Sequence, residues 1–481
     1  MPRKRGMRIS LFKVAAFYLG GRWTAWGGRR RIERKQLRNL RKLVAKARRD
    51  SPFFRRLYES LPETRRLTLP DLPVTSKPQL MGQFDDWVTD RSLKLADLRA
   101  FMSDLGNIGL PCGDVAVFRT SGTSGEPAVV VLTSRDIECL FGIMLARLSR
   151  SQLRRLPELH ASGANVTITG ANGHFVGSGL APLIGHLTRR YPEWLGMTAS
   201  HALHIAAEQP IEQIVQQLNQ IGDVAVILTY PSTLSILLRE MEAGRLKMNP
   251  LLIKVAGETL TPALRDHVRK VFPAQTTELI DAYACTECLM LSVECACGRK
   301  HLPEDWVVLE AVDADLQPVP DGVMSSSSLL TVLTNTVQPF IRYELGDQIQ
   351  FYPDRCPCGS AFRSFKVIGR QATLLQIGDV VLSPLVFDLD HEDAQRVQLV
   401  QTGEHEFDLR CEVRHEAHRD RVFDELGRSV ANTLRQNGAS GFSIQRSQEP
   451  PRLTASGKFH EVIPLKRTSR LPMAARVRPE R

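Results

Sequence analysis

The sequence predicts an α/β protein. It reads as a large N-terminal domain of layered α/β sheets with a β-rich subdomain, followed by a small C-terminal α+β domain. Three observations carry this. First, β-branched and apolar runs recur as AVVVL (128–132), NVTITG (165–170), DVAVILTY (223–230) and LLIKVAGE (251–258). Amphipathic stretches such as PIEQIVQQLNQIG and STLSILLREMEAG lie between them, and strands that alternate with helices imply buried, largely parallel sheet. Second, from Trp306 to Tyr352 the pattern changes to shorter strands separated by turns. Third, after VIGRQA (367–372) a new unit holds a strand (EFDLRCEVRH), a helix (DRVFDELGRSVANTLRQ) and the ending PPRLTASGKFHEVIPLK.

The boundaries follow from these shifts. A basic helical segment covers 1–66, and the large domain covers 67–369, its β-rich part spanning about 306–369. The small domain covers 370–464 and a basic tail 465–481. At 481 residues, 43% apolar and 24% charged, the chain has the balance of a globular protein with more than one core. No apolar stretch reaches bilayer length.

The basic start and the apolar patch from Ile9 to Leu19 are interrupted by Lys13 and lack a small-residue cleavage site, which argues against a signal peptide. The segment reads as an amphipathic helix docked on the protein, in preference to membrane contact with anionic lipid. Residues 1–66 hold 21 Lys and Arg against four Asp and Glu. Leu37, Leu40, Val44 and Ala47 stand near helical spacing there, so these charges read as the solvated face of a packed helix. No module for reading nucleic acid accompanies them, and no nucleic-acid partner is expected. Nine cysteines without a secretion signal imply reduced thiols and a cytoplasmic location.

Several motifs carry chemistry. FRTSGTSGEP (118–127) crowds Thr120, Ser121, Gly122, Thr123, Ser124 and Gly125 between two extended runs. Glycines let backbone N–H groups approach a polyphosphate and hydroxyls add donors. The P-loop spacing and its lysine are absent. YACTE (283–287) supplies an aromatic face and a carboxylate, IRYELGD (341–347) an arginine and an aspartate. GR (369–370) marks the domain junction, and TASGKF (454–459) puts a lone lysine on a glycine-containing loop. ECACGRKH (294–301) and RCPCG (355–359) offer Cys295, Cys297, His301, Cys356 and Cys358, five candidates for the four positions of a closed tetrahedral zinc site. Cys285 and Cys288 read as small core residues.

In this order the motifs resemble the adenylate-forming (AMP-binding, acyl-CoA ligase) superfamily, in particular its phenylacetate–CoA ligase and deazaflavin-coenzyme synthetase branch, from about residue 71 to 463. The resemblance implies ATP-dependent activation of a carboxylic acid, aryl or arylalkyl, as an acyl-adenylate. Transfer to the thiol of coenzyme A or of an acyl carrier protein follows, with an amine acceptor or a catalytically weakened scaffold as alternatives. It implies that Thr120 to Gly125 hold the phosphates and that Glu287, with Thr286 beside it, binds Mg²⁺ and phosphate. Gly257 and Glu258 of AGETL (256–260), with Ala282 and Tyr283, would lie against adenine, and Asp347 would accept from the ribose hydroxyls. Lys458 would stabilise the charge shared between the attacking oxygen and the α-phosphate, and the small domain would be mobile, rotating near Arg370. The branch pattern leaves out Cys297 and assigns zinc to Cys295, His301, Cys356 and Cys358. His174 and Phe175, in the glycine-lined bend TGANGHF, would border the acyl pocket, although a loop histidine satisfied by its neighbours fits equally well. Three departures stand out. Glu126 replaces a lysine, AGE replaces GGE, and Gln371, Ala372 and Thr373 replace the acidic pair after the hinge.

Overall fold

Caps and turn residues set the N-terminal elements. The computed structural model describes residues 6–64, 67–120, 127–148, 150–171, 173–189, 191, 202–370, 375–378, 380–382, 386–387, 389, 391, 393–454 and 459–465. Helices α1 (Leu11–Trp26) and α2 (Gly28–Asp50) meet at Gly27–Gly28, where Gly28 takes a φ of +67° that favours glycine. Ser51 ends α2 and caps α3 (Pro52–Leu57), its hydroxyl accepting the Phe54 N–H at 3.2 Å ahead of a first-turn proline. Three short helices follow: α4 (Lys77–Gly82), α5 (Phe84–Trp87) and α6 (Leu95–Ser103). Helix α2 buries Leu40, Val44 and Ala47 as their spacing implies, but Leu37 turns to solvent and Lys35 is buried in its place.

The first β-rich run also departs from expectation. β1 (Val115–Arg119) and β2 (Val129–Thr133) form an antiparallel hairpin outside the parallel sheet. The link between them is too short for the crossover that parallel pairing requires. Helices α7 (Ser134–Arg147) and α8 (Arg150–Ala161) lead from it to the six-stranded sheet.

That sheet alternates strand and helix: β3 (Ala164–Thr169), α9 (Val176–Thr188), β4 (Ala202–Ala206), α10 (Ile211–Ile221), β5 (Val224–Thr229), α11 (Pro231–Glu242), β6 (Leu252–Ala256), α12 (Pro262–Val271), β7 (Glu278–Tyr283) and β8 (Ser292–Val293). The strand order is β4-β3-β5-β6-β7-β8, parallel except for β8. The winding reverses between β3 and β5, and in open sheets of this kind the crevice outside the carboxyl ends of the strands at such a point is where ligands bind.

The β-rich part holds β9 (Lys300–His301), β10 (Val307–Val312), β11 (Ser327–Val332), β12 (Tyr343–Glu344), β13 (Asp347–Phe351) and β14 (Ser364–Arg370). They form two antiparallel sheets, β10-β11-β12 and β13-β14-β9. The last unit has its own core around Leu399, Phe407, Phe423 and Leu426. It contains β15 (Leu375–Ile377), β16 (Val380–Leu382), β17 (Ala394–Gln401), β18 (Glu406–Val413), α13 (Arg419–Gln436), β19 (Ser443–Arg446) and β20 (Val462–Ile463). Residues 466–481, most of the expected basic tail, lie outside the described residues. Among the described residues no helix is long and apolar enough to cross a membrane.

A buried charge cluster ties these layers together. Asp305 is 0% exposed and accepts from Lys35 of α2 at 3.0 Å and Arg147 of α7 at 2.6 Å. Its carbonyl accepts from the Asn39 amide at 2.8 Å, and the Lys35 ammonium lies 4.5 Å from the Trp306 ring centre. Removing one member of such a cluster strands the others as uncompensated buried charge. Asp305→Ala is expected to lower stability by about 3–5 kcal/mol in urea titration. A loss below about 1 kcal/mol, the range of an exposed pair, would contradict the assigned burial.

Candidate active site

The carboxyl ends of β3, β5, β6 and β7 converge on one edge of the sheet. Ala256 and Ala282 are register partners at the ends of β6 and β7, so AGE and YACTE leave the sheet side by side. Gly257 turns the chain at φ +88°. The Glu258 carboxylate then accepts the Ser232 N–H in the first turn of α11 at 2.9 Å, where the positive end of the helix favours it. Its second oxygen accepts the backbone N–H of Phe459 at 2.7 Å. Phe459 follows Lys458 in sequence, so this bond ties the lysine-bearing segment to the sheet edge.

Tyr283 ends β7 and donates its hydroxyl to Asp347, the first residue of β13. Both are buried, at 9% and 4% exposed, and the bond joins the parallel sheet to the β-rich part. Glu287 sits in the next turn, 5% exposed. Burial, with Glu287 and Asp347 both near it, pushes the Cys285 thiol well up. Burial pushes the Cys288 thiol up to about 12, with Asp136 at the start of α7 and Glu287 adding to it. Cys285 is buried and Cys288 half-buried, packed against the core as expected. Asp347 is also the register partner of Arg370, the residue at the expected domain junction.

Thr120 closes the hairpin: its N–H donates to the Ala128 carbonyl at 3.0 Å, and its hydroxyl accepts the Ala128 N–H at 2.9 Å. The hydroxyl proton remains as a donor. Ser121 to Gly125 and Glu126 lie outside the described residues, as do Lys458 and Gln371 to Thr373. The hairpin is held from the β-rich side. Gln338 accepts the Val131 N–H at 2.7 Å and donates to the Val129 carbonyl at 2.8 Å, while Asn335 donates to the Val131 carbonyl.

At the β3 side, His174 is 3% exposed and its Nε2 lies 3.1 Å from the Asp104 carbonyl oxygen, with the Phe101 ring alongside. Its ring is thereby engaged in holding the bend. Phe175 begins α9, and the Arg119 guanidinium stacks over its ring at 4.6 Å. Gly173, at φ +153°, leaves room for that guanidinium, which a Cβ would meet at 2.3 Å. Arg119 was not singled out from the sequence; its one signal is its place at the end of β1, next to the hydroxyl-rich loop.

The Cys295, His301, Cys356 and Cys358 donor atoms all lie within 4.8 Å of one another. Cys295 Sγ and Cys356 Sγ are 3.6 Å apart, and Cys358 Sγ is 3.3 Å from His301 Nε2. A tetrahedral ion with Zn–S bonds of about 2.3 Å needs sulfurs roughly 3.8 Å apart. His301 Nδ1 faces the Phe362 carbonyl at 3.0 Å, which orients the ring and leaves Nε2 for a metal. Cys297 is exposed and not part of this group. The donor set fits zinc.

No family model matches the chain. It is 26% identical over 371 residues to a phenylacetate–coenzyme A ligase of Thermus thermophilus, covering 74% of each chain. To a phenylacetate–coenzyme A ligase of Aromatoleum evansii it is 28% identical over 288 residues, covering 58% of this chain and 60% of that one. Among solved structures, a 2-hydroxyisobutyryl-CoA ligase in the postadenylation state, in complex with R3-HIB-AMP, superposes with a TM-score of 0.61. That match has 17% identity and covers 91% of this chain and 90% of the other, a likeness of fold. The chain is thus similar in sequence to phenylacetate–coenzyme A ligases and similar in fold to the 2-hydroxyisobutyryl-CoA ligase.

Proposed function

We propose that this protein is an ATP-dependent, AMP-forming acid–thiol ligase that activates an aryl or arylalkyl carboxylic acid and passes the acyl group to coenzyme A. The observation that carries the reading is the convergence of Glu258, Tyr283, Glu287 and Asp347 on one sheet edge, with the segment after Lys458 bonded to it. The substrate class is supported by the phenylacetate–CoA ligases that the sequence matches, and by the Phe175 ring beside the crevice.

In the first half-reaction the acid carboxylate attacks the α-phosphorus of ATP and pyrophosphate leaves. Such a reaction depends on positioning anions and on neutralising growing charge. Thr120 to Gly125 would cradle the phosphates, Asp347 would accept from the ribose hydroxyls, and Gly257, Glu258, Ala282 and Tyr283 would frame adenine. The Tyr283 hydroxyl, donating to the Asp347 carboxylate, holds it in place. Glu287, beside Thr286, would hold Mg²⁺, which takes few protein carboxylates and keeps phosphate oxygens as its other ligands. Lys458 would meet the charge shared between the attacking oxygen and the α-phosphate. In the second half-reaction the coenzyme A thiol attacks the acyl carbon and AMP leaves, the small domain moving near Arg370. Cys295, His301, Cys356 and Cys358 would hold a structural zinc ion with no position open to substrate.

Four outcomes are expected. Across a panel of carboxylic acids, ATP–pyrophosphate exchange should be strongest with aryl or arylalkyl acids. Lys458→Ala and Glu287→Ala should each lower it by roughly 100-fold or more while remaining folded; exchange with no acid would favour a scaffold that keeps only the fold. Tyr283→Phe should raise the KM for ATP by roughly ten- to a hundredfold, the value of about one hydrogen bond to a charged group, with a smaller effect on the KM for the acid. Mass spectrometry of the purified chain should find zinc, lost in Cys358→Ser and retained in Cys297→Ser; loss in the second variant alone would overturn the ligand assignment.

A further inference from the structure

Helix α1 has two apolar faces, and only one is used. Val14, Gly21 and Thr24 are buried. Gly142 of α7 lies so close that a Cβ there would meet the Phe17 Cβ at 2.4 Å. This face docks on the protein as the sequence implies. The opposite face presents Phe12, Ala15, Ala16, Leu19, Trp23 and Trp26 to solvent, within an arc of about 100° on a 3.6-residue helix. Phe12 is 83% exposed, Leu19 63%, Trp23 59% and Trp26 78%. Isolated exposed apolar residues are ordinary, but a continuous stripe marks an interaction surface.

Charge identifies the partner. Helix α1 contains no acidic residue, Lys13 and Arg22 lie along it, and Arg8 precedes its start. The Arg31 guanidinium sits 4.2 Å from the Trp23 ring centre and 5.9 Å from that of Trp26, joining the stripe to α2. Arg30, Arg34, Arg38 and Lys42 are exposed along α2. A second copy seated on the stripe would bring two such basic flanks together, which like charges oppose. An anionic lipid surface complements them. Interfacial helices bury Trp, Phe and Leu at the headgroup boundary while Lys and Arg meet the headgroups. At about 1.5 Å per residue, α1 is too short to span a bilayer and suited to lie in its plane.

We propose that the exposed face of α1, flanked by the arginines of α2, docks the protein on an anionic membrane surface. Full-length protein should float with vesicles of phosphatidylcholine and phosphatidylglycerol, with tryptophan emission shifted to the blue, and high salt should release it. Phosphatidylcholine vesicles alone should bind it at least roughly tenfold more weakly. The variant Phe12→Ser/Leu19→Ser/Trp23→Ser/Trp26→Ser should lose binding by roughly tenfold or more with unchanged circular dichroism. Arg30→Glu/Arg34→Glu/Arg38→Glu should weaken binding to the anionic vesicles only. The proposal is overturned by absence of vesicle binding, by equal binding to both compositions, or by a concentration-dependent dimer that the serine variant abolishes.

Discussion

The buried bond from Tyr283 to Asp347 is the constraint on which the candidate site depends. It fastens the last parallel strand to β13 of the β-rich part, across 64 positions of sequence. Phe365 stacks edge-on to Tyr283 with centres 5.8 Å apart and lies against Phe351, so an aromatic cluster holds the phenol in place. Glu287 lies four residues beyond the tyrosine, and Arg370 is paired with the aspartate, so the bond stands between the two.

The basic N-terminal segment is organised around a different need. Its arginines and lysines outnumber the local acids, yet several point inward to acids from distant elements. Arg29 bonds Glu304, Lys35 bonds Asp305, and Arg147 of α7 completes the cluster. The desolvation cost of these charges is offset only because each has a close partner. Positive charge on a sequence is therefore a poor guide to what it meets; here part of it fixes architecture and part is left on the surface.

Much of the fold was legible because periodicity and order are local properties. The runs at 165–170, 223–230 and 251–258 became β3, β5 and β6, and the helical stretches between them became α10 and α11. AVVVL misled because a short apolar run reads alike in parallel sheet and in a hairpin, and only the length of the connection decides. Leu37 and Lys35 exchanged sides because Asp305, about 270 positions away, draws the lysine inward. The motif order pointed to the candidate site, but the Glu258–Phe459 bond and the stacking of Arg119 on Phe175 are long-range contacts with no local signature.

Glu258 has a kinetic consequence. Its two oxygens divide their service between an immovable helix start and a segment delivered from the far end of the chain. Withdrawing that segment forfeits a charge-assisted bond worth roughly 1.5–3 kcal/mol, a bias of about ten- to a hundredfold toward the engaged arrangement. Any rearrangement that carries Phe459 away from the sheet edge must therefore first break this bond.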